Sequence, residues 1–501
     1  MLSLALPFGR CLCGAPACCG MLWGHGDRPI ARHPDQKGPP VTTNAPNPAP
    51  SSLTRKRYSL TTALCMIIGI CIGSGIYFKA DNVLIATSGS VPLGVAMFCI
   101  ASVVIVFGGL TLSVYAARSE EAGGVLAYAD TYLPGPLARI FNWNFTILYL
   151  PCIAAVLCWV TGVYACMVFG LGDGFATQMA IGVIYLVVCV AWNVLAPVLA
   201  GWFQNATTII KIIPLIAVGV AGVAASVLGV GSAMVSAAPV AGATATAATT
   251  SAAGNLAWLA AAAPIAFSFD GWSMSTSIAP ELRDARRTLP LALAVAPLVI
   301  LALYLIYFVG IATVLTPQGV MKAGDASLGL FFARLLGPGA STLPNVIALV
   351  SVMGTVNGVV LSLLRMPQAL ALRGDFPCSK RVAAIDPRTG FPVASAVAGV
   401  VMVLVWMAVH ALVTSAGLIE NGDVSELSVA FNMLLTAVLL GRVLGFRSDE
   451  VGVLRGRVAP VIAVVGCIFV AGSALMSPVR LAAVAVFCLV LAVLSAWRSR
   501  R

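Results

Sequence analysis

Charged side chains are scarce, at 9% of the 501 residues beside 60% hydrophobic ones. So few charges cannot cover the surface of a water-soluble domain, which excludes a soluble enzyme. Histidine is scarcer still: His25, His33 and His410 are the only three, two of them within the first 57 residues. No His/Glu set stands at metal-ligand spacing, so a membrane enzyme has no candidate centre, and neither a metal nor an organic cofactor is expected. Acidic residues number 18 against 29 Lys and Arg, a formal charge of +11. An excess of that size can mark a nucleic-acid binder, and the positions of the charges decide whether it does here.

What the sequence has is long apolar runs, with a mean hydropathy of +0.99, and a helix needs roughly 20 such residues to cross a hydrocarbon core. From Tyr58 onward the runs predict twelve transmembrane helices, at about 58–85, 91–117, 137–170, 175–197, 203–229, 254–280, 288–315, 343–372, 391–411, 425–445, 458–476 and 479–498. An Ala/Thr/Ser/Gly-rich stretch from Gly229 to Gly254 reads as an external loop. Residues 1–57 read as a disordered cytoplasmic tail. Their apolar stretch Met1–Phe8 has no basic region before it, unlike a secretory signal, and a Pro-rich polar run follows from Pro39 to Ser52. Cys11, Cys13, Cys18 and Cys19 fall in that tail and are taken as part of it rather than as a metal knuckle. Most of the other cysteines lie inside apolar runs, where Cys behaves as a small core residue.

An even number of spans puts both termini on one side. The loops on that side carry 13 Lys and Arg and those on the other carry four, so both termini are expected in the cytoplasm of a multi-pass cell-membrane protein. The same bias accounts for the basic charge through topology and contact with anionic lipid, and no nucleic-acid partner is expected.

Three ionisable residues fall inside spans: Lys211 in the fifth, Asp270 in the sixth and Arg365 in the eighth. Each costs on the order of 2.5–3.5 kcal/mol to place in lipid, so each needs a role. Arg365 lies near the cytoplasmic end of its span, where snorkelling to the surface would serve. Glycine gives a second signal. Span one contains Ile72-Gly73-Ser74-Gly75-Ile76 and span six contains Phe267-Ser268-Phe269-Asp270-Gly271-Trp272. Either could be a close helix contact. Together they hold the same place in successive groups of five helices, the pattern of an inverted repeat with a broken first helix in each half. The N–H groups of Ser74, Gly75 and Ile76 would then attract a carboxylate, and freed carbonyls near Cys71 and Phe267 an ammonium. A ligand bearing both charges is an α-amino acid.

Four stretches, IGICIGSGIYFKADNVL (68–84), EEAGGVLAYADTYLPGPLARIFNW (120–143), FSFDGWSMSTSIAPELRDARRTLPLAL (267–293) and MGTVNGVVLSLLRMPQALALRGDFP (353–377), resemble the amino acid–polyamine–organocation superfamily and, within it, the L-type amino acid transporter branch. The resemblance implies an all-α membrane fold with a LeuT-like 5+5 inverted repeat. Helices 1 and 6 would be broken, residues 58–445 would form the ten-helix transport core, and 446–501 would add helices 11 and 12 and a short cytoplasmic C-terminus. It implies a sodium-independent secondary transporter, permease or exchanger, that moves amino acids by alternating access. A polyamine or organic-cation transporter of the same fold is the alternative, and an ion channel is the rival from another class. Gly73, Ser74 and Gly75 would bind the substrate carboxylate, carbonyls around Cys71, Phe267 and Asp270 its amine, and Phe267 would close over it, with Ile76 and Ser268 beside them.

Lys211 would stand where sodium-coupled relatives hold Na⁺. A lysine that released its proton during the cycle would couple transport to H⁺, and one that kept it points to exchange. Asp270 would favour cationic side chains if it faces the pocket, or neutral ones if it pairs with Lys211 or caps its own helix. Members of the branch that work with a glycoprotein heavy chain carry a cysteine between the third and fourth helices. Here that loop reads GLGDGFAT, so a disulfide-linked partner is not expected. Cys71 also departs from the residues usual before Gly-Ser-Gly, and pocket size cannot be borrowed from relatives.

Overall fold

A computed structural model describes residues 56, 58–228, 265–417, 424–474, 487, 488, 490 and 491. The tail, the 229–254 loop, the first part of span six and nearly all of span twelve lie outside the described residues. Those residues form helices, with only two isolated β-bridges among them. Ten of the helical segments are long and apolar enough to cross a membrane, and they correspond to spans one to five and seven to eleven.

The first half of the chain contains α1 (Leu60–Cys71), α2 (Ala80–Ala86), α3 (Val91–Ala101), α4 (Val103–Ala116), α5 (Val125–Tyr132), α6 (Gly135–Trp143), α7 (Leu150–Phe169), α8 (Phe175–Leu195) and α9 (Pro197–Leu228). Local chemistry explains the ends. Ser90 precedes α3 and its hydroxyl accepts from the Leu93 N–H, with a proline in the first turn. Gly170 closes α7 in the left-handed conformation, φ 65°. The second half contains α10 (Ala285–Leu315), α11 (Pro317–Ala323), α12 (Ser327–Leu336), α13 (Leu343–Leu363), α14 (Met366–Leu372), α15 (Ser379–Val382), α16 (Val393–Ser415), α17 (Ser425–Gly441), α18 (Ser448–Val451) and α19 (Ala459–Ala474).

Three features depart from simple spans. The third is continuous from Gly135 to Phe169, but a wide π turn at Asn144–Tyr149 interrupts its α-helical register. The fifth begins at Pro197, so that Ala196 alone separates it from α8. The stretch between spans seven and eight folds into α11 and α12, whose apolar residues Val320, Leu328, Phe331 and Phe332 are buried.

Spans one, five, seven and eight pack around one another, with α1 touching α9, α10 and α13. Outward faces stay apolar: Ile184, Val187, Trp202, Ile213, Val220 and Val223 on α8 and α9 are all exposed, a surface suited to lipid rather than water. Arg365 does not snorkel. It is 6% exposed, its Nε donates to Glu281 Oε1, and its guanidinium lies 5.0 Å from the Phe391 ring centre. Glu281, at the end of the segment after the second break, supplies a partner that span eight alone could not reveal.

Candidate functional site

α1 ends at Cys71. Ile72 (φ −78°, ψ 86°) turns the chain out of the helix, and a tight turn, Gly75–Phe78, resumes it before α2. Tyr77 is the first residue of that turn to bond back, to Ser74 O at 3.2 Å. The N–H groups of Ser74, Gly75 and Ile76 therefore have no partner inside it. The second break falls at Asp270, which is extended (ψ 165°), and Gly271, which is left-handed (φ 94°). A β-carbon on Gly271 would also stand 2.4 Å from Ile70 Cγ2. Both the dihedral and the approach of α1 demand glycine there.

One residue ties the breaks together: the Tyr304 hydroxyl, from α10, lies 3.1 Å from Cys71 O and 2.8 Å from Ser268 O. The Cys71 carbonyl also accepts from the Gly73 N–H at 3.0 Å, and the Phe267 carbonyl from the Asp270 N–H at 3.2 Å. Neither carbonyl is as free as the bare sequence suggests, because the tyrosine and the tight turns already use them.

Between the breaks lies a cavity of about 280 Å³. Cys71, Gly73, Ser74, Gly75, Ile76, Phe267, Ser268 and Asp270 all line it, joined by Thr355 of α13, an apolar strip of α7 from Ile153 to Val160, and Ser425 and Glu426 of α17. Lys79 stands on the same wall. Asp270 Oδ2 accepts from the hydroxyl of Tyr149 at 2.8 Å.

Lys211 is not on the cavity wall. Fully buried, it donates to Gly69 O (2.7 Å), Ile72 O (2.7 Å), Ser351 O (2.9 Å) and Thr355 Oγ1 (3.2 Å). Its ammonium thus satisfies the carbonyls that α1 leaves bare where it unwinds. Among the described residues Lys211 forms no ion pair with Asp270. The Lys211 carbonyl in turn accepts from Tyr77 at 2.7 Å.

Near the start of α1 the packing is polar and tight. Tyr58 pairs by main-chain bonds with Glu281 and Arg283, and Glu281 takes the Arg365 ion pair. Lys56 and Arg286 both reach Glu120, and Arg373 pairs with Asp130 while donating to Ala122 O. Val125 N–H donates to Thr276 Oγ1 at 3.1 Å, which docks α5 on the segment after the second break.

Sequence reasoning missed several contributors. Glu426 had a signal, as an acid at the head of an apolar span. Tyr149 and Tyr304 had none, because their reach depends on the π turn and on the crossing of α10 over α1.

A helical membrane protein with a cavity of mixed polar and apolar lining held between two interrupted segments is built to enclose a small solute. Residues 58–499 match the amino acid permease family, and the chain belongs to it; it is a transporter, not an enzyme. It is similar to the serine/threonine exchanger SteT of Bacillus subtilis, at 24% identity over 433 residues that cover 84% of this chain and 92% of SteT. It is also similar to the b(0,+)-type amino acid transporter 1 of Rattus norvegicus, at 25% identity over 343 residues that cover 68% of this chain and 66% of the rat protein.

Proposed function

We propose that this protein is a sodium-independent amino acid transporter of the cell membrane that works by alternating access. Residues 58–445 would form a ten-helix inverted repeat, residues 446–501 would hold helices 11 and 12, and both termini would lie in the cytoplasm. The observation that carries the reading is the cavity enclosed by both breaks, with Lys211 fastened behind the first. Its size suits one small zwitterion. The substrate carboxylate would sit on the N–H groups of Ser74, Gly75 and Ile76, its amine on main-chain oxygen near Phe267 and Asp270, and Phe267 would cover it. A fixed ammonium among four oxygens does there what a sodium ion would do, so transport needs no Na⁺. The polar contacts around Tyr58, Glu281 and Arg365 would seal the cytoplasmic side, and the cavity would open toward the end that carries Lys79 and Ser425.

Exchange is favoured over simple uptake, in keeping with the name of SteT, and no disulfide-linked partner is required. The test is reconstitution in liposomes. Saturable, stereospecific uptake of radiolabelled amino acid, accelerated by unlabelled amino acid inside and unchanged when choline replaces Na⁺, is the expected result. Large unsaturable flux would identify a channel, and uptake confined to polyamines would identify an organic-cation carrier of the same fold.

A further inference from the structure

We infer that Glu426 sets the substrate class of the cavity: amino acids whose side chain is an aliphatic stem ending in a positive charge, ammonium and guanidinium alike. The inference rests on the transporter reading above and deepens it.

Glu426 stands in the first turn of α17 and lines the cavity. Two contacts fix its depth. The Asn144 side chain donates to Asn432 Oδ1 at 3.1 Å, and Val424 packs in one buried cluster with Cys152 and Val156. Residue 144 thus faces 432 and residue 152 sits by 424, so span three and α17 run antiparallel and Glu426 falls level with Leu150. The neighbouring Tyr149 is the residue whose phenol holds Asp270. Two carboxylates therefore reach the cavity at one depth, from spans six and ten.

The balance of charge on the wall follows. Its charged side chains are Asp270, Glu426 and Lys79. Lys79 forms no ion pair among the described residues, and its charge offsets that of one carboxylate. Asp270 accepts from the Tyr149 hydroxyl and from the Gly271 N–H, and Lys211, behind the wall, is held by four oxygens. Without Glu426 the wall would be neutral, so this residue decides that a positive group is drawn in. The rest of the lining suits the stem. Ile153, Val156, Leu157 and Val160 recur at helical spacing along the cavity side of α7, and Val429 lies one turn from Glu426 on α17. A methylene chain can lie on these apolar faces while its charged end meets a carboxylate. An acid in the first turn also suits the positive end of a helix, but that role needs no place on the cavity wall.

Competition uptake into proteoliposomes tests this with lysine, arginine and norleucine, which has lysine's stem without its ammonium. The parent should take both cations over norleucine by about tenfold or more, the order of one charge-assisted hydrogen bond. Glu426→Gln, shown by size-exclusion chromatography to be folded, should reduce that preference about tenfold for lysine and arginine together and leave norleucine unchanged. Glu426→Asp, which keeps the charge, should keep the parent's order. A parent that prefers norleucine or imports neither cation overturns this inference alone, as does a folded glutamine variant with the parent's ratios. A parent that imports none of the three overturns the transporter reading as well. Should the glutamine variant fail to fold, Glu426→Ala gives the same readout and is decided by the same ratios.

Discussion

Replacing Lys211 by alanine should abolish transport, and the structure indicates by how much. The ammonium donates to three main-chain carbonyls, of Gly69, Ile72 and Ser351, and to the Thr355 hydroxyl. The Thr355 hydroxyl lies within reach of both Gly69 O and Ser351 O but has one proton to give, and the Ser351 hydroxyl approaches Ile72 O at 3.4 Å. Two of the three carbonyls are thus left with a weaker substitute and one with none. A buried acceptor that loses its donor costs about 1–3 kcal/mol. Taking the low end for each of three carbonyls gives about 3 kcal/mol against the unwound end of α1, or a drop of about 100-fold in the population that holds the site. The assay is initial-rate uptake into proteoliposomes at matched protein density, with size-exclusion chromatography to show that the variant is folded. Uptake at the parent's rate by a folded Lys211→Ala protein would refute the reasoning.

Four further outcomes are expected. Asp270→Asn should weaken uptake of cationic amino acids selectively, by about tenfold or more for the loss of a charge partner; equal proportional changes for arginine and leucine would tell against it. Arg365→Met leaves Glu281 buried without its partner and should cost about 3–5 kcal/mol, seen as a lower melting temperature that Glu281→Gln in the same chain partly restores. Gly271→Ala forces a side chain into a left-handed position and against Ile70, at about 1–3 kcal/mol for the backbone alone. Gly75→Ala, with nothing within 4 Å of its β-carbon position, should leave the melting temperature unchanged.

The helical membrane class was legible in the sequence because lipid enforces it: every crossing segment must be apolar and must bond its own backbone. The two interruptions were legible too, since Gly73, Gly75 and Gly271 stand beside polar residues at matching places in spans one and six. The partners of the charges were not. Asp270 meets a tyrosine 121 residues away and Arg365 a glutamate 84 residues away, and no local pattern encodes which helices cross. The π turn in span three was hidden because its residues, Asn144 to Tyr149, read as ordinary helix formers. Its register shift is visible only in what Tyr149 touches.

The hydroxyl of Tyr304 rests on the last carbonyl of α1 and on a carbonyl just before the second interruption. In the alternating access proposed above, that single phenol would yoke the two interrupted segments. Neither could tilt without pulling on the other or letting go of that oxygen. Opening one door and shutting the other would then be a joint event rather than two independent ones, and a cargo that engages either segment would act on both.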